Sequence, residues 1–301
     1  MNFSTLQARV AGECGLDTTA DATVLGIWVN LAYKHISGLY DWPWLLKQAT
    51  LQTVTEITTG TASINAASTA LTLSVGPAAS VATQYMIQFA DSDDWYIISA
   101  HTAAATSATL ANAYNATDNL TAGTYKIRKT LYSLASDLDR IIDIRQARTD
   151  QKLTCVDIRT FDKALPDPSS TGTPILYAPV GMDSSNNWQI TLYPIPDDVM
   201  NLQYRYLQIP ADMTGTTVPV MPEKFHDSIV MVALYLYGHP FIDDSRLAAA
   251  KARAGEIIAD MKRECSPVPD HQGVIKPWDQ RAPVSGLNDG ILGSNYPYPW
   301  R

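Results

Sequence analysis

Residues 71–98 read LTLSVGPAASVATQYMIQFADSDDWYII, and the fold turns on how often apolar side chains recur in this stretch. Leu71, Leu73 and Val75, then Tyr85, Ile87 and Phe89, then Trp95 and Ile97 alternate with polar or small residues. A period of two predicts strands with one face buried. Between the second and third runs, Ala90-Asp91-Ser92-Asp93-Asp94 offers the short Asx side chains that stabilise turns. The same Thr, Ala, Ser and Val-rich composition runs from Thr50 to about Thr130 and closes with Tyr125, Ile127 and Arg128. About five or six short strands of this kind predict a small β-barrel or sandwich, because closure removes the open edges that otherwise aggregate. The segment interrupts helical sequence and reads as an inserted β domain, residues 50–130.

On its N-terminal side, residues 1–49 read as helices of a core. Ser4-Thr5-Leu6-Gln7 has the spacing of a capping box, which predicts a helix start at Ser4. A second helix is expected from about Asp21, with Val24, Ile27, Trp28, Leu31 and His35 on one face and Gly38 as its stop. Pro43, between Trp42 and Trp44, then forbids helix continuation.

On the C-terminal side, residues 131–265 complete the core with a β layer and a helical hairpin. Leu138 to Arg145 alternates, and Val156 to Leu165 predicts a short helix ended by Pro166-Asp167-Pro168. Ile175 to Val180, Trp188 to Tyr193 and Leu202 to Ile209 are separated by Asn, Gly and Pro clusters and predict an antiparallel meander. Pro222 and Glu223 open an apolar helix whose buried stripe is Phe225, Ile229, Val232, Ala233 and Leu236, ended by Gly238 and Pro240. Asp243 or Asp244 caps a longer helix through Glu264, with Leu247, Ala250, Ala254, Ile257, Ile258 and Met261 inward. Residues 266–301 lack periodicity and carry six prolines, so they predict an extended tail. Its Val274, Ile275, Trp278, Ile291, Leu292, Tyr296, Tyr298 and Trp300 are too many apolar groups for a solvated arm. The fold class is therefore α+β: a bundle of N- and C-terminal helices, an antiparallel β layer, the inserted β domain and the tail.

The 301 residues are 46% hydrophobic and only 17% charged, below the ~25% usual for soluble domains. Small polar residues replace the missing charge, as in a chain that covers its surface with neighbours. With 30 acidic residues against 22 Lys and Arg, the net charge of -8 supplies no basic field to gather phosphates. The same acidity suits a conduit through which DNA slides without sticking. Cys14, Cys155 and Cys265 are dispersed and odd in number, which suits a reducing compartment. Met1-Asn2-Phe3-Ser4 leads into polar positions with no basic, then apolar, leader. The longest apolar stretch, Ile229 to Tyr237, is about half of a bilayer span. A soluble protein made in the cytoplasm, with no membrane partner, is expected.

Phosphate-loop, dinucleotide, hydrolase-elbow and zincin signatures are absent from the sequence. His35, His101, His226, His239 and His271 are dispersed, away from metal-ligand spacing. Asp91, Asp93 and Asp94 lack the Gly and distal Glu of a calcium loop and fit a hairpin turn. Asp137, Asp139 and Asp143 fall at even steps on one strand, as an acid pair would, beside Arg140 and Arg145, which instead favour a solvated ion-pair face. The expectation is no enzyme, no cofactor and no metal. An aromatic face of Trp95, Tyr96 and Tyr114 would suit a carbohydrate- or receptor-binding virion protein, the alternative from another class.

The order of elements, with Trp42-Pro43-Trp44-Leu45, Leu192-Tyr193-Pro194-Ile195-Pro196-Asp197 and Met221-Pro222-Glu223-Lys224-Phe225-His226-Asp227, resembles the head-to-tail adaptor (connector, neck) subunits of tailed bacteriophages. The resemblance spans about residues 20–50 and 135–265, and the β insertion is similar to insertions of longer members. It implies a closed ring of self-copies, usually twelve, under the portal protein. That ring extends the DNA channel, passes genomic DNA without sequence-specific binding, and docks a downstream neck or tail protein. A tail-completion protein differs from this only in its partner. The location implied is the virion neck. Trp28, Trp42, Trp44 and Phe225 are candidate core anchors. Trp278, Tyr296, Tyr298 and Trp300 are candidate partner-docking anchors, since aromatic groups dominate interface energetics and Pro lowers the cost of ordering.

Overall fold

A computed structural model describes residues 1–90, 92–164 and 170–265, and these described residues form three antiparallel-rich sheets and five α-helices. The helices are α1 (Phe3–Cys14), α2 (Ala22–Gly38), α3 (Ile158–Ala164), α4 (Asp227–Tyr237) and α5 (Asp244–Cys265). The first strands are β1 (Leu46–Gln52), β2 (Ala62–Ile64), β3 (Ala70–Leu73), β4 (Tyr85–Phe89), β5 (Trp95–His101), β6 (Ser107–Leu110), β7 (Leu120–Gly123) and β8 (Tyr125–Lys129). They are followed by β9 (Leu131–Ser133), β10 (Leu138–Gln146), β11 (Thr154–Cys155), β12 (Leu176–Met182), β13 (Trp188–Tyr193) and β14 (Asn201–Gln208). The class is mixed α+β, as the two periodicities imply. Two compact units partition the chain: Met1–Pro43 with the described chain from Met213 onward, and Trp44–Asp212.

In the second unit, the Thr/Ala-rich segment forms one sheet of seven strands in the order β7-β2-β3-β6-β5-β4-β8. Leu71, Leu73, Tyr85, Ile87, Phe89 and Ile127 all point into its core, as their spacing predicts. On β5 the parity is reversed. Tyr96 and Ile98 are buried and Ile97 is exposed, because Ile97 pairs with Met86, the outward residue of β4. Val75 also lies outside the core, past the end of β3. Gly76 is required at the turn that follows, since a Cβ there would lie 2.4 Å from the Ala104 carbonyl oxygen.

The expected meander of three runs divides between two sheets. β12 and β13 pair in a sheet ordered β11-β12-β13-β9, whereas β14 is the centre of a sheet ordered β1-β14-β10. β1 was not foreseen as a strand. It pairs with β14 from Leu46↔Leu207 to Gln52↔Asn201, and that pairing draws β14 out of the meander. Tyr132, Leu138, Ile144, Tyr177, Ile190, Leu192, Leu202 and Tyr204 share the core of this region.

In the helical unit, α4 packs against α1, α2 and α5. The cap of α1 is Asn2, whose side chain accepts from the Thr5 N–H at 2.9 Å, so the expected start at Ser4 is two residues late. Ser4 instead donates to the Gly215 carbonyl at 2.7 Å, and Gln7 donates to the Ala22 carbonyl at 3.0 Å. At the other end Gly15, at φ 68°, donates its N–H to the Ala11 carbonyl. Asp243 caps α5 by accepting from the Arg246 N–H at 2.8 Å. Buried Ala250, Ala254, Ile257 and Met261 follow the inward stripe expected there. On α4 the helix closes over Ile229, Val230, Val232, Ala233 and Leu234, while Leu236 stays partly exposed.

The inward face of α2 is a correction. The buried residues are Leu25, Val29, Ala32, Tyr33 and Ile36; of the expected stripe, Val24, Ile27, Leu31 and His35 face outward and Trp28 is half-buried. Both sets have five members at helical spacing, so spacing alone does not select the buried one. No helix among the described residues is long and apolar enough to cross a membrane.

Candidate functional site

The aromatic candidates occupy unlike surroundings. Trp42 is fully buried, its indole N–H donating to the Ile36 carbonyl at 2.8 Å and its ring edge-on to Tyr40 at 5.1 Å. Phe225 is buried in the turn before α4, under the Lys224 ammonium. Trp28 is half-buried, stacked on Tyr237 at 6.0 Å and tilted against Phe241 at 5.7 Å. Trp44, the first residue of the other unit, is also half-buried. Trp278, Tyr296, Tyr298 and Trp300 lie outside the described residues.

The aromatic face proposed for sugar stacking does not form. Tyr96 and Tyr114 are 6% and 2% exposed. Both pack on Phe89, and the Tyr96 hydroxyl binds Asn115. Trp95 lies under the Arg128 guanidinium, 4.9 Å from the ring centroid, and Arg128 is buried and paired with Glu56. Burial of apolar ring area on the inner side of β5 explains the difference.

The acidic residues of β10 and the turn before it each have a cation beside them or remain solvated. Asp137 accepts from Lys47 at 2.7 Å and from the Tyr206 hydroxyl at 2.8 Å. Partial burial raises its pKa, but those two hydrogen bonds outweigh it and hold the carboxyl below its ordinary range. Burial, then the same Asp137 contact, raises the Tyr206 hydroxyl. Asp143 is held by Arg145 at 2.7 Å, and Asp139 is exposed. These are ion pairs of a sheet surface and not a facing acid and base. In the turn after β4, Asp94 is bound by Asn115, and Asp91 lies outside the described residues.

Two of the histidines bond to backbone. His101 accepts the Val81 N–H at Nδ1, with Nε2 3.0 Å from the Ala105 carbonyl. His226 is buried, with Nε2 3.0 Å from the Met221 carbonyl and Nδ1 2.7 Å from the Met1 amine, which also meets Glu223 at 3.0 Å. Burial lowers the His226 pKa. No group of three or more His, Cys, Asp or Glu side chains able to hold a metal comes together among the described residues. Of the sequence motifs, Tyr193-Pro194 has a cis peptide bond.

What the residues do bring together is an outward apolar ridge on α2. Val24, Ile27 and Leu31 are 43%, 52% and 42% exposed, and Trp28 and Phe241 border them. Sequence reading assigned these residues to the interior. The same helix carries a second series of equal reach, Leu25 to Ile36, and spacing does not distinguish the two. Small residues, Ala248, Ala252, Gly255 and Ala259, occupy the exposed side of α5.

A protein-family model described as SU10 adaptor protein matches residues 110–272, more than half of the chain. Among curated proteins, none matches.

Proposed function

The chain belongs to the SU10 adaptor protein family, and from that membership we propose that it is a structural virion protein of a tailed phage, a head-to-tail adaptor without catalytic activity. Its copies form a closed ring, of twelve in this reading, beneath the portal protein. The ring extends the DNA channel and docks the next neck or tail protein. The observation that carries this reading is the family match itself, which runs from the last residue of β6 past the end of α5. The net charge of -8 supports passage of DNA without sequence-specific binding, because like charge keeps the polyanion off the wall.

Within this reading the parts divide their work. The contacts of α4 with α1, α2 and α5 support a helical bundle. The end strands of the inserted sheet, β7 and β8, are consecutive in the chain, which supports a small closed barrel. Trp278, Tyr296, Tyr298 and Trp300 are the docking anchors of residues 266–301, a length that spans up to about 120 Å when extended. Negative-stain imaging of the purified protein, alone and with portal, tests the whole. A ring with a central hole is expected, and a compact monomer in both samples overturns the proposal. Deleting residues 266–301 is expected to abolish portal binding, and unchanged binding removes the role given to the tail.

A further inference from the structure

The sheet ordered β1-β14-β10 has two edges, and the chain treats them differently. On the β10 side the register with β14 shifts twice, between Leu138 and Arg140 and between Ile141 and Asp143. The chain then folds back on that strand, where the Gln146 N–H donates to the Gln151 carbonyl at 2.9 Å and the Leu153 N–H to the Ile144 carbonyl at 2.8 Å. Bulges and a covering segment keep a sheet edge from pairing with another chain. β1 has neither. Its seven residues pair with β14 without a shift, from Leu46↔Leu207 to Gln52↔Asn201, and none of them is proline.

The phase of the ladder fixes which backbone groups are left over. Just past β1, the Thr53 N–H donates to the Met200 carbonyl at 2.9 Å, in step with the register of β1 and β14. In an antiparallel ladder, alternate residues bond to the same neighbour. Lys47, Ala49 and Leu51 therefore aim their N–H and C=O groups at β14, and Gln48, Thr50 and Gln52 aim theirs the other way. Those three residues are exposed, and among the described residues nothing bonds to their outward backbone. The result is a row of alternating donors and acceptors whose partial charges complement the backbone of an extended chain. Side chains narrow the partner further. Ala49 and Leu51 pack on the core that holds Tyr204 and Ile190 yet stay partly exposed. On their covered flank, β14 sets Tyr204 opposite Ala49 and Leu202 opposite Leu51. Large apolar residues at alternate positions of an added strand would cover the open flank in the same way.

We propose that the outer edge of β1 is a docking site for an extended segment of another protein, about five residues or more, which joins the sheet as a further strand and sets apolar side chains opposite Ala49 and Leu51. Main-chain hydrogen bonds supply the affinity, and the alternate side chains supply the selectivity. This inference does not depend on the adaptor reading.

The probe is a labelled synthetic peptide of the β14 sequence, residues 201–208, which already matches β1 on its inner side. Fluorescence anisotropy with the full chain is expected to show saturable binding. Methylating the peptide nitrogens at one alternate set of residues is expected to abolish binding, and methylating the other set to leave it, because an edge strand is bonded on one side only. A need for both sets means that the peptide has replaced the central β14, and overturns the inference. Amide hydrogen exchange by NMR locates the site. Gln48, Thr50 and Gln52 are expected to exchange fast in the free chain and about tenfold or more slower with peptide, the scale of one backbone hydrogen bond, while Lys47, Ala49 and Leu51 are protected in both. Thr50→Pro removes an outward N–H without touching the β14 ladder. It is expected to weaken binding about tenfold with an unchanged circular dichroism spectrum. Should that variant fail to fold, the exchange pattern decides. Absence of saturable binding, binding that leaves those three amides in fast exchange, or a folded Thr50→Pro that binds as wild type overturns the inference. So does protection of the same amides in the free chain that rises with protein concentration, which identifies a second copy as the occupant.

Discussion

In the seven-stranded sheet, the inward side chains of β4, Tyr85, Ile87 and Phe89, end in one cluster with Leu71, Leu73, Ile98 and Ile127. Helix α2 instead buries Leu25, Val29, Ala32, Tyr33 and Ile36 on one side and leaves Val24, Ile27 and Leu31 in the open on the other. A strand with one wet face has two kinds of position, and the core takes one kind. A helix has room for two apolar stripes, and one subunit supplies cover for only one of them. Apolar content therefore matches core content in the first region and exceeds it in the second.

The sharpest break of this comparison is cavity formation. Ile87→Ala in the inserted core and Leu25→Ala on the buried side of α2 are each expected to destabilise by about 2 to 5 kcal/mol. Denaturant unfolding of the full chain checks both. Next is the buried ion pair behind Trp95. Glu56→Ala leaves Arg128, 6% exposed, without that carboxylate. The expected cost is up to about 3 kcal/mol, at the low end of values for buried pairs because Glu56 itself is partly solvated. Removing the α1 cap by Asn2→Ala is expected to cost about 1 kcal/mol, and Ser4→Ala less, a pair that separates the observed cap from the one the sequence suggests. On the outward side of α2, Ile27→Ala is expected to change stability by under about 0.5 kcal/mol, since Ile27 is exposed. A cost comparable with that of Leu25→Ala would erase the contrast between the two sides.

The smallest effect is electrostatic. Asp183, in the turn between β12 and β13, accepts from the Asn187 N–H at 2.9 Å, the Asn187 side-chain amide at 3.0 Å and the Ser185 N–H at 2.8 Å. The first of these dominates, and the set holds its pKa down to about 2. The folded value lies below the unfolded one, so the stabilisation is present above pH 3.8 and is lost as pH falls through about 2. Carbon-detected NMR titration is expected to place the midpoint near 2, and Asp183→Asn to remove this part of the acid sensitivity. A midpoint near the ordinary carboxylate value would refute the turn geometry.

Much of this was legible in the residues. The two-residue alternation of Tyr85, Ile87 and Phe89 and the helical spacing of Ala250, Ala254, Ile257 and Met261 each permit one burial pattern, and those patterns form. Where two patterns compete, sequence does not choose. β5 offers Trp95 and Ile97 or Tyr96 and Ile98, and register with β4 selects the second. On α2 the same ambiguity hid the ridge. The pairing of β1 with β14 joins segments about 150 residues apart, and no local signal announces it.

By itself, then, the sequence determined the α+β class, the strand-rich character of residues 71–98, the acidic balance and the resemblance to adaptors, because composition and period act locally and are written in neighbouring residues. Tertiary structure alone decided which stripe of α2 turns outward, which sheet claims β14, and that Tyr96 and Tyr114 are core and not a binding face. Those outcomes depend on which surfaces meet across the chain, and burial free energy is settled only when they do.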